Sequence, residues 1–219
     1  MDGSGLSTEL SNEGFTETLQ GTICLSCRMQ NDPDATTIQL IRNGMTDAYA
    51  QIVKRYATRA LSLASRFIRD HHAAEDVVQD AFIRAFTALP SFKGDALFST
   101  WFYRIVYNTA MNAAQQQRRK PDLTEIDEES LVVWTDTDMF DRLEAAELDM
   151  LLQESMDAIP PLYAVVLDLL YVQDRRYDEI VAITGLPLGT VKTRLNRGRA
   201  MLRAEMMHRC PEMFSERTP

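Results

Sequence analysis

A run of acid divides this chain before any helix is drawn. Between Pro121 and Ala158 thirteen carboxylates (Asp122, Glu125, Asp127, Glu128, Glu129, Asp136, Asp138, Asp141, Glu144, Glu147, Asp149, Glu154 and Asp157) face a single basic side chain, Arg142. A stretch with a net charge of −12 repels itself and buries too little apolar surface to offset the entropy of ordering, so it reads as a connector. The overall charge of −9 therefore hides two different regimes. Outside the acidic run the sum is +3, and from Pro187 to Arg209 six basic residues oppose Glu205 alone. The acidity belongs to a tether, and the basic C-terminal end is where an anionic partner such as DNA is expected.

On either side of the tether the apolar spacing is helical, and no strand-like alternation is convincing. With 45% apolar residues the 219-residue chain has material for ordinary cores. The expected architecture is all-α: two small helical domains joined by an acidic flexible linker. The expected divisions are a disordered extension at residues 1–33, a first domain at 34–119, the linker at 120–156, a second domain at 157–210 and a tail at 211–219. Met29 is a candidate start, since regular patterning begins only near Asp34. The first twenty residues are acidic and rich in Ser and Thr, unlike a secretory signal, and no window reaches the length of a membrane span. A cytoplasmic protein is expected. Three cysteines argue against a disulfide framework. Cys24 and Cys27 form a C-x-x-C without a second ligand pair at finger-like spacing, so no metal or cofactor is expected.

In the first domain Thr46 or Asp47 can cap a helix through Tyr49, Ile52, Val53 and Tyr56, and Asp70 can cap the next. Pro90 and Gly94 mark a loop, after which a long helix runs over roughly Leu97–Gln117 to Arg118-Arg119-Lys120. The helix Ala73–Leu89 has an apolar face (Ala74, Val77, Val78, Ala81, Phe82, Ala85, Phe86). Its other side carries Asp76, Gln79, Asp80 and Ile83, with Arg84 beside them: a solvated face or a docking surface. Phe92 to Tyr107 is dense in aromatics, with Trp101 and Ile105 as the natural core pair and Tyr103 and Tyr107 on another face. Such rings serve a core, or they stack unpaired bases, a contact worth roughly 1–3 kcal/mol each.

A possible amphipathic piece lies at Met139–Leu152, and the second domain opens after Pro160-Pro161. Tyr177–Thr184 reads as a short helix, Gly185-Leu186-Pro187 as a tight turn, and Thr190 as the cap of a second helix to about Met206. Val191, Leu195, Gly198 and Leu202 share one face of it. The opposite face offers Lys192, Thr193, Asn196 and Arg197 with Arg194 at its flank, types suited to base edges in a major groove, and Arg199 and Arg203 lie further along.

Together these segments resemble a known family. Ala74-Glu75-Asp76-Val77-Val78-Gln79-Asp80-Ala81-Phe82-Ile83-Arg84 resembles the core-polymerase-binding segment of sigma region 2. Phe92-Lys93-Gly94-Asp95, Thr100-Trp101-Phe102-Tyr103-Arg104-Ile105 and Asn108-Thr109 look like its promoter-melting segment. Gly189-Thr190-Val191-Lys192-Thr193-Arg194 and Arg197-Gly198-Arg199 resemble the recognition helix of region 4. Their order and spacing are similar to those of the extracytoplasmic-function (group 4) sigma factors.

The resemblance implies a non-catalytic factor that binds core RNA polymerase through the β′ clamp coiled-coil and the β flap. It also implies promoter DNA and an anti-sigma factor as partners, with no small-molecule substrate. Asp76, Gln79, Asp80, Ile83 and Arg84 would dock on polymerase. The loop Phe92, Lys93, Gly94, Asp95, Ala96 and Leu97 would hold a base flipped from the minus-ten element, with Trp101, Tyr103 and Asn108 along the strand path. Thr190, Lys192, Thr193, Arg194, Asn196, Arg197 and Arg199 would read the minus-thirty-five duplex. Lys192 stands where the family often has arginine, which exchanges a bidentate fork for a point charge. Two other readings stand beside it: an operator-binding helix-turn-helix regulator independent of polymerase, and a redox protein centred on Cys24 and Cys27.

Overall fold

The computed structural model describes residues 32–118 and 145–211. Among the described residues all regular structure is helical. The first group is α1 (Ala35–Arg42), α2 (Tyr49–Ser65), α3 (His71–Ala88) and α4 (Phe98–Arg118). The second is α5 (Ala145–Ala158), α6 (Pro161–Leu167), α7 (Tyr177–Thr184) and α8 (Leu188–Arg209). Cys24, Cys27, Met29, the linker up to residue 144, Arg119, Lys120 and most of the C-terminal tail lie outside the described residues.

In the first group α3 begins where the sequence predicts, with the Asp70 carboxylate accepting from the Ala73 N–H at 2.7 Å. Neither Thr46 nor Asp47 caps α2. They form a 3-10 turn, Thr46–Ala48, that leads straight into α2, with the Thr46 and Ala48 N–H groups bonded back to the Gly44 and Met45 carbonyls. The core pair on α4 also differs from expectation. Phe98, Phe102 and Val106 form the fully buried stripe, while Trp101 and Ile105 are half-buried. Helices α2 and α3 cover α4 from one side and the C-terminal group covers it from another, so two adjacent phases of one helix are buried and Trp101 falls at their border. Phe102 stacks on Phe82 with ring centroids 4.8 Å apart and meets Tyr56 at 5.4 Å. Burying each such ring contributes about 1.5–3 kcal/mol.

In the second group Pro161 occupies the first turn of α6, where its missing N–H costs nothing. Helix α7 spans the predicted residues, and Gly185 ends it at φ 72°, a left-handed conformation that glycine adopts without strain. Helix α8 starts at Leu188, earlier than expected, so Thr190 lies inside its first turn rather than capping it. Val191, Leu195 and Gly198 are buried as predicted. A Cβ on Gly198 would stand 3.0 Å from Leu167 Cδ1, which explains a glycine in mid-helix. Residues 145–156, read from sequence as linker, are helical and pack on α8, with Ser155 and Met156 buried. Their acids are not idle: Glu154 pairs with Arg209 at 2.8 Å.

The two groups meet along a polar seam. Asp168 sits in a π-helical turn, Asp168–Val172, after α6 and is fully buried. It accepts from Ser62 Oγ at 2.6 Å and from Arg66 Nε at 3.3 Å, both on the α2 side. Arg66 is itself buried, and its other nitrogens donate to Asp157 (2.7 Å) and Gln153 (2.6 Å) on α5. Gln173 donates to the Arg59 carbonyl at 2.9 Å. At the other end Arg175 donates to Ser99 Oγ (2.8 Å), and Thr100 Oγ1 donates to Glu179 (3.0 Å).

Candidate nucleic-acid and polymerase interfaces

Three surfaces emerge from this frame. The first is the outer face of α3. Asp76 and Gln79 are exposed, as predicted, and Ile83 is 65% exposed, with Phe86 beside it also open to water. Arg84 pairs with Asp80 at 2.8 Å, both partly or fully exposed. An exposed pair of this kind is worth about 0–1 kcal/mol, so Asp80 can turn to an external cation at little cost. Ile83 and Phe86 together make a small apolar patch beside Asp76, Gln79 and Asp80, a mixture that fits a docking face.

The second surface is the loop between α3 and α4. Phe92 is buried, packed on Trp101 (centroids 5.0 Å apart) and Phe98 (5.9 Å). Gly94 takes φ 79°, which lets the chain turn sharply with its backbone close against the fold. Lys93 and Asp95 point to solvent, and Ala96 and Leu97 are half-covered. Along α4, Asn108 is exposed. Tyr103 is not: it is fully buried under the C-terminal group, with the Arg175 guanidinium 5.6 Å from its ring. Burial pushes its phenol up to about 12 despite Arg175 and Arg59, and among the described residues its hydroxyl has no hydrogen-bond partner. Tyr107 is buried too, its phenol raised by burial and eased by the charge of Arg194.

The third surface is the first half of α8. Lys192, Thr193 and Asn196 are exposed, and Thr190, Arg194 and Arg197 are half-buried. Thr193 Oγ1 donates to the Gly189 carbonyl at 2.9 Å, fixing its rotamer. Thr190, Thr193, Arg194 and Arg197 line a cavity of about 420 Å³ that continues to Leu162 on α6. Two guanidinium groups and two hydroxyls at a helix N-terminus make a surface suited to phosphate oxygens and base edges. Arg199 behaves differently from its neighbours. Its Nε donates to the Tyr171 hydroxyl at 2.7 Å and its guanidinium lies over that ring, so it is tied to the fold.

Sequence reasoning missed the seam residues Arg66, Asp168, Arg175 and Glu179. One signal was available: Asp168 is the only charge in the apolar run Leu162–Val172, where an unpartnered carboxylate would not be tolerated. It also missed Arg42, which bonds the Phe92 carbonyl at the start of the loop Phe92–Leu97, and Asp32, which bonds the Phe98 N–H just after it. Asp32 falls within the N-terminal extension, residues 1–33, expected to be disordered. It is buried and bonded into the first group instead.

Comparison with known proteins agrees with the geometry. Residues 52–120 match the family described as Sigma-70 region 2, and residues 149–202 match Sigma-70, region 4. The chain is 34% identical to the ECF RNA polymerase sigma factor SigW of Bacillus subtilis over 179 residues, 77% of this chain and 94% of the relative. It is 32% identical to the ECF RNA polymerase sigma-E factor of Escherichia coli over 173 residues, 76% and 90% of the two chains. Among solved structures it is similar to CnrH in complex with the cytosolic domain of CnrY, with TM-score 0.57 and 25% identity over 79% of this chain and 96% of that one. The fold is also shared with the sigma factor RpoE of Bartonella quintana, solved in complex with the anti-sigma factor NepR (TM-score 0.55, 20% identity, 72% and 96% covered).

Proposed function

The chain belongs to the ECF RNA polymerase sigma factors, and on that premise we propose which surface does which part of the work. A sigma factor binds core RNA polymerase and directs recognition and opening of promoter DNA; the nucleotidyl chemistry is the polymerase's. We assign core docking to Asp76, Gln79, Asp80, Ile83 and Arg84 on α3. We assign the flipped minus-ten base to the loop Phe92–Leu97, with Trp101 and Asn108 beside it and Tyr103 once it is uncovered. The minus-thirty-five duplex goes to Thr190, Lys192, Thr193, Arg194, Asn196 and Arg197, with Arg199 on the flanking backbone. The observation that carries this reading is the division of α8, whose Val191, Leu195 and Gly198 are buried while Lys192, Thr193 and Asn196 stand in water beside Arg194 and Arg197.

The two DNA elements lie about 25 base pairs apart, roughly 85 Å at 3.4 Å per step. Tyr103 on α4 is buried where the C-terminal group packs on that helix, so the packed arrangement covers part of the assigned minus-ten strand path. We infer that the packed arrangement is the unbound form and that the groups separate on polymerase. We place the protein in the cytoplasm with the polymerase; among the described residues no helix is long and apolar enough to cross a membrane. As CnrH and RpoE were solved with CnrY and NepR, we propose an anti-sigma factor for this chain too, covering these surfaces and able to hold it at the inner membrane face.

Run-off transcription with purified core polymerase tests the reading. Adding this protein should produce start-site-specific transcripts from promoters of its host, whereas binding to DNA without polymerase and no such transcripts would favour an operator-binding regulator. Asp80→Arg should weaken core binding and spare minus-thirty-five recognition. Arg197→Ala should do the reverse, costing about 1–3 kcal/mol of that recognition.

A further inference from the structure

The loop Phe92–Leu97 is held at both ends by residues from the start of the fold. At its first residue the Arg42 guanidinium donates to the carbonyls of Phe92 and Leu89 and lies 6.0 Å from the Phe92 ring centroid. At its far end the Phe98 N–H, the first of α4, donates to Asp32 Oδ2 at 2.6 Å. Leu97, which precedes α4, has no side chain that can accept this bond, so the cap is supplied from 66 residues away in sequence.

Asp32 is itself fixed. Its Oδ1 accepts from the Asp34 N–H at 2.9 Å, and the Asp34 carboxylate is bound by Arg55 and by the Tyr56 hydroxyl, both on α2. Between Asp32 and Arg42 stands α1, eight residues of helix with Thr37, Ile38 and Ile41 buried, a rigid spacer roughly 12 Å long. The two contacts are therefore separated by a stiff rod rather than by a flexible strand. They leave only Lys93 to Leu97 free between clamped ends.

We propose that Asp32 and Arg42 are positioning residues for the minus-ten element: they set the span of the Phe92–Leu97 loop and so its selectivity for the base it holds. The inference rests on the reading that this loop receives the flipped base. A pocket that discriminates bases must hold its polar groups within a fraction of an ångström. A loop of five free residues gains that precision only if its ends are fixed. Neither Asp32 nor Arg42 reaches the base; both act through the backbone of the loop.

The test is run-off transcription with core polymerase on a host promoter the wild-type protein opens, with each minus-ten base replaced in turn. The readout is the ratio of transcription from the preferred base to that from the others at each position. Asp32→Ala and Arg42→Ala should lower that ratio at one position by roughly five-fold, the factor carried by a single cap, while ratios at minus-thirty-five positions stay fixed. Asp32→Asn keeps one acceptor and Arg42→Lys keeps one donor, and both should retain an intermediate ratio with a thermal midpoint close to wild type. Lys93→Ala and Asp95→Ala, inside the loop, are the control for the reading beneath the proposal. If the loop variants change the ratio and none of the four clamp variants does, the clamp is wrong and the loop assignment stands. If no variant of either kind changes it, the loop assignment falls and takes the clamp with it. A uniform loss of transcription with unchanged ratios in all clamp variants would reduce Asp32 and Arg42 to fold support and overturn the proposal.

Discussion

The interior of each helical group and the seam between them are buried to similar degrees, but the seam carries a far larger share of buried polar groups. Inside the groups the buried residues are Phe98, Phe102, Leu63 and Val106 on one side and Leu167, Ile180, Ile183 and Leu195 on the other. Across the seam a buried polar set, Arg66, Asp168, Gln173, Ser99 and Thr100, stands beside apolar burial that includes the Tyr103 ring. Apolar surface gains from burial whatever it touches, whereas a buried ion pair roughly breaks even against its hydration and depends on every partner being in place. Contacts of the first kind hold a group together under any circumstances. Contacts of the second kind specify one arrangement yet lose little when water replaces them, which suits the separation on polymerase proposed above.

The largest effect expected from breaking this contrast is in the interior. Phe102→Ala removes a ring packed on Phe82, Tyr56 and Phe98, and should cost about 3–5 kcal/mol in urea unfolding of the N-terminal group. Next is Gly198→Leu, which drives a side chain into Leu167 and Tyr163. Overpacking of this kind costs about 1–3 kcal/mol and should lower the thermal midpoint of the C-terminal group, with minus-thirty-five binding lost alongside it. Gly198→Ala would sharpen the result. Its helix-propensity gain of about 1 kcal/mol opposes the contact with the movable end of Leu167, so it should fall well short of the leucine variant.

The same contrast separates what the sequence made legible from what it did not. Interiors built on periodicity could be read: the α3 face of Ala74, Val78, Ala81 and Phe82, the α8 face of Val191, Leu195 and Gly198, and the bounds of α7. The exposed candidates Asp76, Gln79, Ile83, Lys192 and Asn196 followed by subtraction, as the faces left over. Trp101 and Ile105 pack at the edge of the core rather than at its centre, because periodicity on one helix cannot say how many neighbours cover it. For Tyr103 the pattern left core packing and base stacking both open for the same reason, and the structure buries it. Polar contacts at long range leave no periodic trace: nothing near Asp32 announces Phe98, and nothing near Arg66 announces Asp168. Both pairings became visible only with the fold.

The smallest expected effect on unfolding is the most informative about the seam. Arg66→Ala removes the guanidinium that faces Asp168, Asp157 and Gln153 together. If the seam stayed shut, Asp168 would be left with Ser62 and Gln173 alone, and breaking one half of a buried pair costs about 3–5 kcal/mol. The two groups can instead part and return Asp168 to water, so the loss is limited to the free energy that closes the seam. The expected outcome is a larger radius of gyration by small-angle scattering, with the unfolding midpoints of both groups nearly unchanged and Tyr103 released from its cover. The double variant Arg66→Met with Asp168→Leu makes the opposite change. An apolar pair in that place should keep the groups together and reduce transcription with core polymerase, because closure no longer depends on charges that water can reclaim. If Arg66→Ala stayed compact and unfolded as early as Phe102→Ala, the seam would be an extension of the interior, and the separation of the two DNA surfaces would need another cause.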